Sequence, residues 1–180
     1  MPFTPFHLGP AILFGLLLFR FVNFPVFLVA NVIVDLEPFL VLLLGLKYPL
    51  HGFFHSFLGG SIIAFIVALL AFKFRGTVAR FSFFIGLRQK VSFTGVLLAS
   101  FLGVYFHILL DAPLYTDIKP FYPLYTNPFY SSSFLIESGI YTFCSVCFLA
   151  GGILYVLKRV LKHIWKGHST PSKSGGYELL

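Results

Sequence analysis

Long apolar stretches separated by short polar segments run through the chain. Five of them match the scale of a bilayer crossing: about Leu8 to Val22, Pro25 to Leu46, Phe54 to Phe74, Ser92 to Leu114, and Phe134 to Leu157. The pattern predicts an all-α fold, a polytopic transmembrane helix bundle of about five spans. The first stretch is short at roughly 1.5 Å per residue, so it needs a tilt, a locally thin bilayer or a re-entrant path. Pro10, near its start, suits a first helical turn. No internal repeat is evident, which leaves an inverted-repeat transporter without support.

Composition places this pattern in lipid. The chain has 180 residues, 58% of them hydrophobic and 11% charged, and six acidic with thirteen basic side chains cannot coat a soluble surface. The 25 Phe and nine Tyr fit helix contacts and headgroup-level anchors. The net charge of +7 sits in loops and a tail, where anionic lipid is the simpler partner and nucleic acid is set aside. Cys144 and Cys147 lie in an apolar stretch and read as packing residues. Met1 to His7 carries no positive charge ahead of the first apolar stretch, so that span is expected to stay in the mature protein.

The basic residues also predict an orientation. With five crossings, eleven of them (Arg20, Lys73 to Lys90, Lys158 to Lys173) fall on one side and only Lys47 and Lys119 on the other. That bias puts the N-terminus outside and the C-terminus in the cytoplasm. The loop from Lys73 to Lys90, basic but carrying Val78, Phe81, Phe84 and Ile85, reads as an interfacial anchor. A membrane-embedded helical domain is expected over residues 1–166, with a flexible, dispensable Ser- and Gly-rich tail over 167–180.

The chemistry concentrates between His7 and Asp117, which holds Asp35, Glu37, Asp111 and Asp117 together with His7, His51, His55 and His107. A carboxylate near the bilayer centre costs on the order of 3 kcal/mol, and no Lys or Arg lies in the second span to compensate Asp35 and Glu37. His51 with His55, and His107 with Asp111, are four apart and would share a face wherever the chain is helical. Pro38 disfavours helix at Glu37, and a break there could turn both acids inward. The predicted topology brings His7, Asp35, Glu37, His51, His55, His107 and Asp111 toward the outer side.

Imidazole with carboxylate is the ligand set of zinc, manganese or iron, and seven ligands allow more than one ion. Such ions could clamp a phosphoester and generate hydroxide at neutral pH, with Asp35 or Glu37 bridging metals or accepting the proton. Asp117 is read as solvated, and Glu137, His163 and His168 as incidental. The segment from Pro113 to Tyr130 is read as an outer cap, with Tyr115, Lys119 and Tyr122 placed to bind a headgroup.

The order of HLGP at His7, VDLEP at Asp35, HGFFHS from His51 to Ser56 and LGVYFHILLDAPLY around His107 and Asp111 resembles the YdjM-like family of membrane-bound, metal-dependent hydrolases. The resemblance spans about Pro5 to Pro128. It implies His7, Asp35, His55, His107 and Asp111 as metal ligands. The chain departs from the family in having Glu37 where a second Asp is common and His51 where the family has Arg. The family's pattern also looks like that of zinc-dependent phospholipase C, an analogy that implies phosphoester hydrolysis.

The sequence therefore leads to the expectation of a multi-pass cell-membrane hydrolase with a divalent metal, zinc first, acting on a phosphoester or lipid-like substrate at the outer face. Two other readings stay open: a metal-ion or proton transporter, and a non-enzymatic scaffold with a structural metal. Oligomeric state is not legible in the sequence.

Overall fold

The structure, a computed structural model, describes residues 5–168, whose regular elements are all helices, with no strand among the described residues. A 3-10 turn, Pro5–His7, leads into α1 (Leu8–Leu17), α2 (Phe24–Ile33) and α3 (Leu36–Leu43). A second 3-10 turn, Phe53–His55, precedes α4 (Phe57–Lys73), α5 (Arg75–Phe84), α6 (Phe93–Asp111) and α7 (Phe134–His168).

Polar caps set where the main helices begin. The Asn23 side chain accepts from the Val26 N–H with Pro25 in the first turn of α2, Ser56 accepts from the Gly59 N–H at 3.0 Å, and Ser92 accepts from the Gly95 N–H at 3.1 Å. Gln89 joins two elements at the basic end of the bundle. Its amide nitrogen donates to the Phe19 and Val22 carbonyls at 2.7 and 2.9 Å, and its oxygen accepts from the Phe24 N–H at 2.8 Å. Backbone groups left over where α1 ends and α2 begins are satisfied in this way.

α6 is the axis of the fold. α2 packs along one side of it and α4 along another, around a core of Ala30, Val34, Ala64, Val104 and Ile108, while α1 lies between α2 and α7. Close approach depends on small residues: a Cβ on Gly103 of α6 would come within 2.8 Å of the Phe27 carbonyl oxygen of α2. Polarity is inverted relative to a soluble protein. Asn31, Asp35, His55, Ser100, His107 and Asp111 are buried, whereas Leu58, Ile62, Phe65, Ile66 and Leu69 of α4 are exposed.

Three of the described helices are long and apolar enough to cross a membrane, namely the α2–α3 rod Phe24–Leu43, Phe93–Asp111, and Phe134–Leu161 of α7. There are four if α4 and α5, bent by 83° at their junction, count as one. α1 is shorter than its expected span because the chain turns at Leu18, whose carbonyl accepts from the Phe21 and Val22 N–H groups, so that Asn23 can start α2. Ten residues reach roughly 15 Å, about half the ~30 Å core. α4 begins at Phe57 rather than Phe54, because Ser56 is extended at φ −114°, ψ 157°. α7 runs on to His168, two residues into the expected tail; residues 169–180 lie outside the described residues.

Candidate metal centre

The step between α2 and α3 places the first acid. Asp35 and Glu37 donate their N–H groups to the Val32 and Val34 carbonyls in tight three-residue turns, and Asp35 stands at the N-cap of α3. Pro38 falls in the first turn of α3, where a missing N–H costs nothing. The break therefore comes at Val34–Asp35, a turn earlier than Pro38 predicts at Glu37, and both carboxylates face the bundle. Asp35 turns toward α6 and Glu37 toward the segment before α4.

On α6, His107 and Asp111 share one face as their spacing predicts. His51 and His55 do not sit on an α-helix. The 3-10 turn before α4 carries His55 inward, fully buried, and stacks its ring edgewise on His51 at 4.7 Å.

Asp35, His55, His107 and Asp111 come together: one ligand atom from each lies within 4.8 Å of the others, and all four residues are buried. His107 Nε2 is 3.1 Å from Asp111 Oδ2 and 3.4 Å from Asp35 Oδ1, yet it has no hydrogen-bond partner. Donor atoms at about 2.0–2.1 Å from a tetrahedral ion stand roughly 3.4 Å apart. Nitrogen and oxygen aimed past each other at that spacing suit a shared cation better than a hydrogen bond. His55 Nε2 and Asp111 Oδ1 are likewise buried and make no hydrogen bond. Such orphaned atoms are costly unless something else satisfies them. Two acids paired only with histidines among the described residues favour a dication.

The other expected ligands stand around these four. His7 Nε2 is 3.1 Å from Asp111 Oδ1, and its ring meets His107 edgewise at 4.7 Å. Glu37 binds His55 from behind, Oε2 to Nδ1 at 2.8 Å, while its Oε1 accepts from the Phe54 N–H at 3.3 Å. That leaves the far nitrogen of His55 turned to the centre, the arrangement by which carboxylates orient metal-binding histidines. His51 is engaged with Asp117. Its backbone N–H donates to Oδ2 at 3.0 Å and its Nδ1 lies 2.9 Å from Oδ1.

Asp117 is therefore not the solvated residue the loop composition predicts. Its side chain is one-third exposed (33%), and burial alone would push its carboxyl up, but the His51 hydrogen bonds hold it below the usual range. No spacing in the sequence links two residues 66 apart, so this contact had no sequence signal beyond both residues being assigned to the outer side.

The segment from Pro113 to Tyr130 does lie over this end of the bundle. Tyr115 stacks on His51 at 4.2 Å, and burial pushes its hydroxyl pKa up. Asn127 fastens the loop by donating to the Ala112 and Tyr115 carbonyls at 2.7 and 3.1 Å. The Pro120 carbonyl accepts from the Phe57 N–H at 2.8 Å. Tyr122 packs against Phe53 at 5.4 Å, and Lys119 lies over the Tyr125 ring at 4.6 Å.

An all-helical chain with apolar spans and a buried His and Asp centre is a multi-pass protein of the cell membrane. It belongs to the YdjM inner membrane protein family, whose family model matches residues 4–169. The match takes in α7, which carries none of the four motifs. No curated protein and no solved structure matches the chain.

Proposed function

We propose that the protein is a membrane-embedded, metal-dependent hydrolase acting on a phosphoester or related bond of a lipid-like substrate at the outer membrane face. The observation that supports this most is the set of four buried ligand atoms within 4.8 Å, with imidazole nitrogens left unpartnered. In this reading Asp35, His55, His107 and Asp111 hold a divalent ion, zinc by preference of the ligand set, and His7 stands ready as a further ligand. Bound there, the ion supplies Lewis acidity and hydroxide at neutral pH.

The residues divide the remaining work. Glu37 fixes the ring of His55, Asp35 and Asp111 balance positive charge, and Asp117 holds His51 beside the centre. Hydrolysis joins the oxygen of water to phosphorus, breaks the bond to the leaving oxygen, and returns one proton to that oxygen. Asp35, Glu37 and the Asp117-held His51 are nearby groups able to carry the proton. Tyr115, Lys119 and Tyr122 would meet a headgroup from above.

Five crossings, with the N-terminus outside, remain the topology we favour. Among the described residues Arg20, Lys73, Arg75, Arg80, Arg88, Lys90, Lys158 and Arg159 lie on or next to the parts of α1, α4, α5 and α7 away from the centre, and Lys47 and Lys119 do not, as the positive-inside rule requires of a cytoplasmic side. α1 then enters at the depth of the centre, which suits its length. The 83° bend lays α5 along the interface if α4 is upright.

The reading is tested with purified protein and a chromogenic phosphodiester, followed by phospholipid in mixed micelles. Activity that disappears on chelation, returns with zinc or manganese, and is lost in Asp35→Asn supports it. Metal-loaded protein that cleaves neither substrate, but carries a metal or proton flux in liposomes, would replace it with the transporter.

A further inference from the structure

α2 with α3, and α4, both lean on α6, and the surface between them is left as an apolar furrow. Its outer part, of about 430 Å³, is walled by Leu36, Leu40, Phe54 and Ile66 among others, and its inner part, of about 420 Å³, reaches Val26 and Phe81. Ile33, Val67 and Leu70 line both parts, so the two run into one another. From Val26 to Leu40 the helix path is roughly 21 Å at 1.5 Å per residue. One leaflet of hydrocarbon is about 15 Å deep, half of a ~30 Å core.

The furrow changes character at a single place. Among the described residues the only charged group on its walls is Glu37, at the outer end. Glu37 is also the residue that holds His55 at 2.8 Å. A guest in the furrow therefore meets almost entirely apolar walls, the Thr77 hydroxyl at the inner end apart, and it finds a charged partner only beside the metal centre. Leu40, Ile66 and Leu70 are each about half exposed, so the furrow opens sideways to lipid. Helices that pair in membranes do so through Gly, Ala and Ser, and the outer part has none of these on its walls. Its branched and aromatic walls suit a thin, flexible chain better than a second helix.

The geometry points to this furrow as the binding site for one hydrocarbon chain of a membrane lipid, seated so that the lipid's headgroup linkage is delivered past Glu37 to the metal centre. It rests on the hydrolase reading only for the fate of the headgroup. The substrate class follows from it: an amphiphile drawn from the outer leaflet, not a water-soluble ester.

The test is photolabelling of the full chain in vesicles of phosphatidylethanolamine and phosphatidylglycerol doped with a phospholipid bearing a diazirine on its acyl chain. Adducts should concentrate several-fold at Leu40, Ile66 and Leu70 over Leu69 and Leu102, which face lipid outside the furrow. Ile66→Trp and Leu70→Trp should each cut that labelling while Leu69→Trp does not, with bound metal unchanged in all three. Even labelling of all lipid-facing positions would overturn the furrow. Metal assayed in the same samples separates the two ideas. Furrow labelling without metal in the wild type sinks the hydrolase reading alone, and metal with even labelling sinks the furrow alone.

Discussion

Glu37 and His55 act as a pair, and the consequence is measurable. With Nδ1 held by the carboxylate, His55 can present only Nε2 to the centre. Such outer partners are worth about 10- to 100-fold in metal affinity. Glu37→Ala should weaken binding by that amount in competition with a chelator, and unchanged affinity would remove Glu37 from the centre. Asp117 makes a different prediction. Its carboxyl pKa is depressed by His51, so the contact stabilises the fold above the unfolded value near ~4 and is lost as pH falls through the folded value. The gap in thermal midpoint between wild type and Asp117→Asn should be widest near neutral pH and close on acidification; a gap that stays constant into acid would contradict this. Of these residues, His107 and Asp111 were legible from their spacing. Asp117 was not, because a loop closing onto a residue 66 positions away leaves no period in the sequence.

Element boundaries carried more information than the apolar stretches alone convey. Ser56, with Gly59 three residues on, marks the start of α4 and keeps His51 and His55 off an α-helix, although their spacing of four reads as helical. Pro38 signalled a break in the second span, and the break falls where proline is tolerated, with Pro38 inside the first turn of the new helix. Contacts between elements were not legible, Gln89 being the clearest case. Replacing it by Leu leaves two carbonyls and one N–H without their partner and should cost roughly 1–3 kcal/mol, read as a lower unfolding midpoint in detergent. Gly103 tests the packing of α2 on α6. A side chain there meets the Phe27 carbonyl, and Gly103→Val should separate the helices that carry Asp35 and His107. Stability should fall by about 1–3 kcal/mol and metal binding with it; a variant with wild-type stability and metal would show that the close approach is dispensable.

At the scale of the molecule the chain is turned inside out, with acids, imidazoles and two amides, Asn23 and Asn31, buried and Leu, Ile and Phe on the surface. Composition made the lipid environment readable. It could not show how far each apolar stretch stays helical: α1 stops at Leu17, short of the expected Val22, whereas α4 ends at Lys73, next to the expected Phe74, and turns into α5 within the segment read as an interfacial anchor. The favoured topology predicts that cysteines introduced at Lys47 and Lys119 react with an impermeant thiol reagent in intact cells, whereas one at Arg88 reacts only after lysis. Reaction at Arg88 in intact cells would reverse the orientation. The claim on which the functional reading depends is that the buried cluster binds a divalent ion. Elemental analysis of detergent-purified protein is its most direct test. The account predicts near-stoichiometric divalent metal in the wild type, lost in His107→Ala and Asp111→Ala variants that keep wild-type helix content and gel-filtration profile. A correctly folded wild type that carries no metal, even after incubation with zinc or manganese, would contradict it.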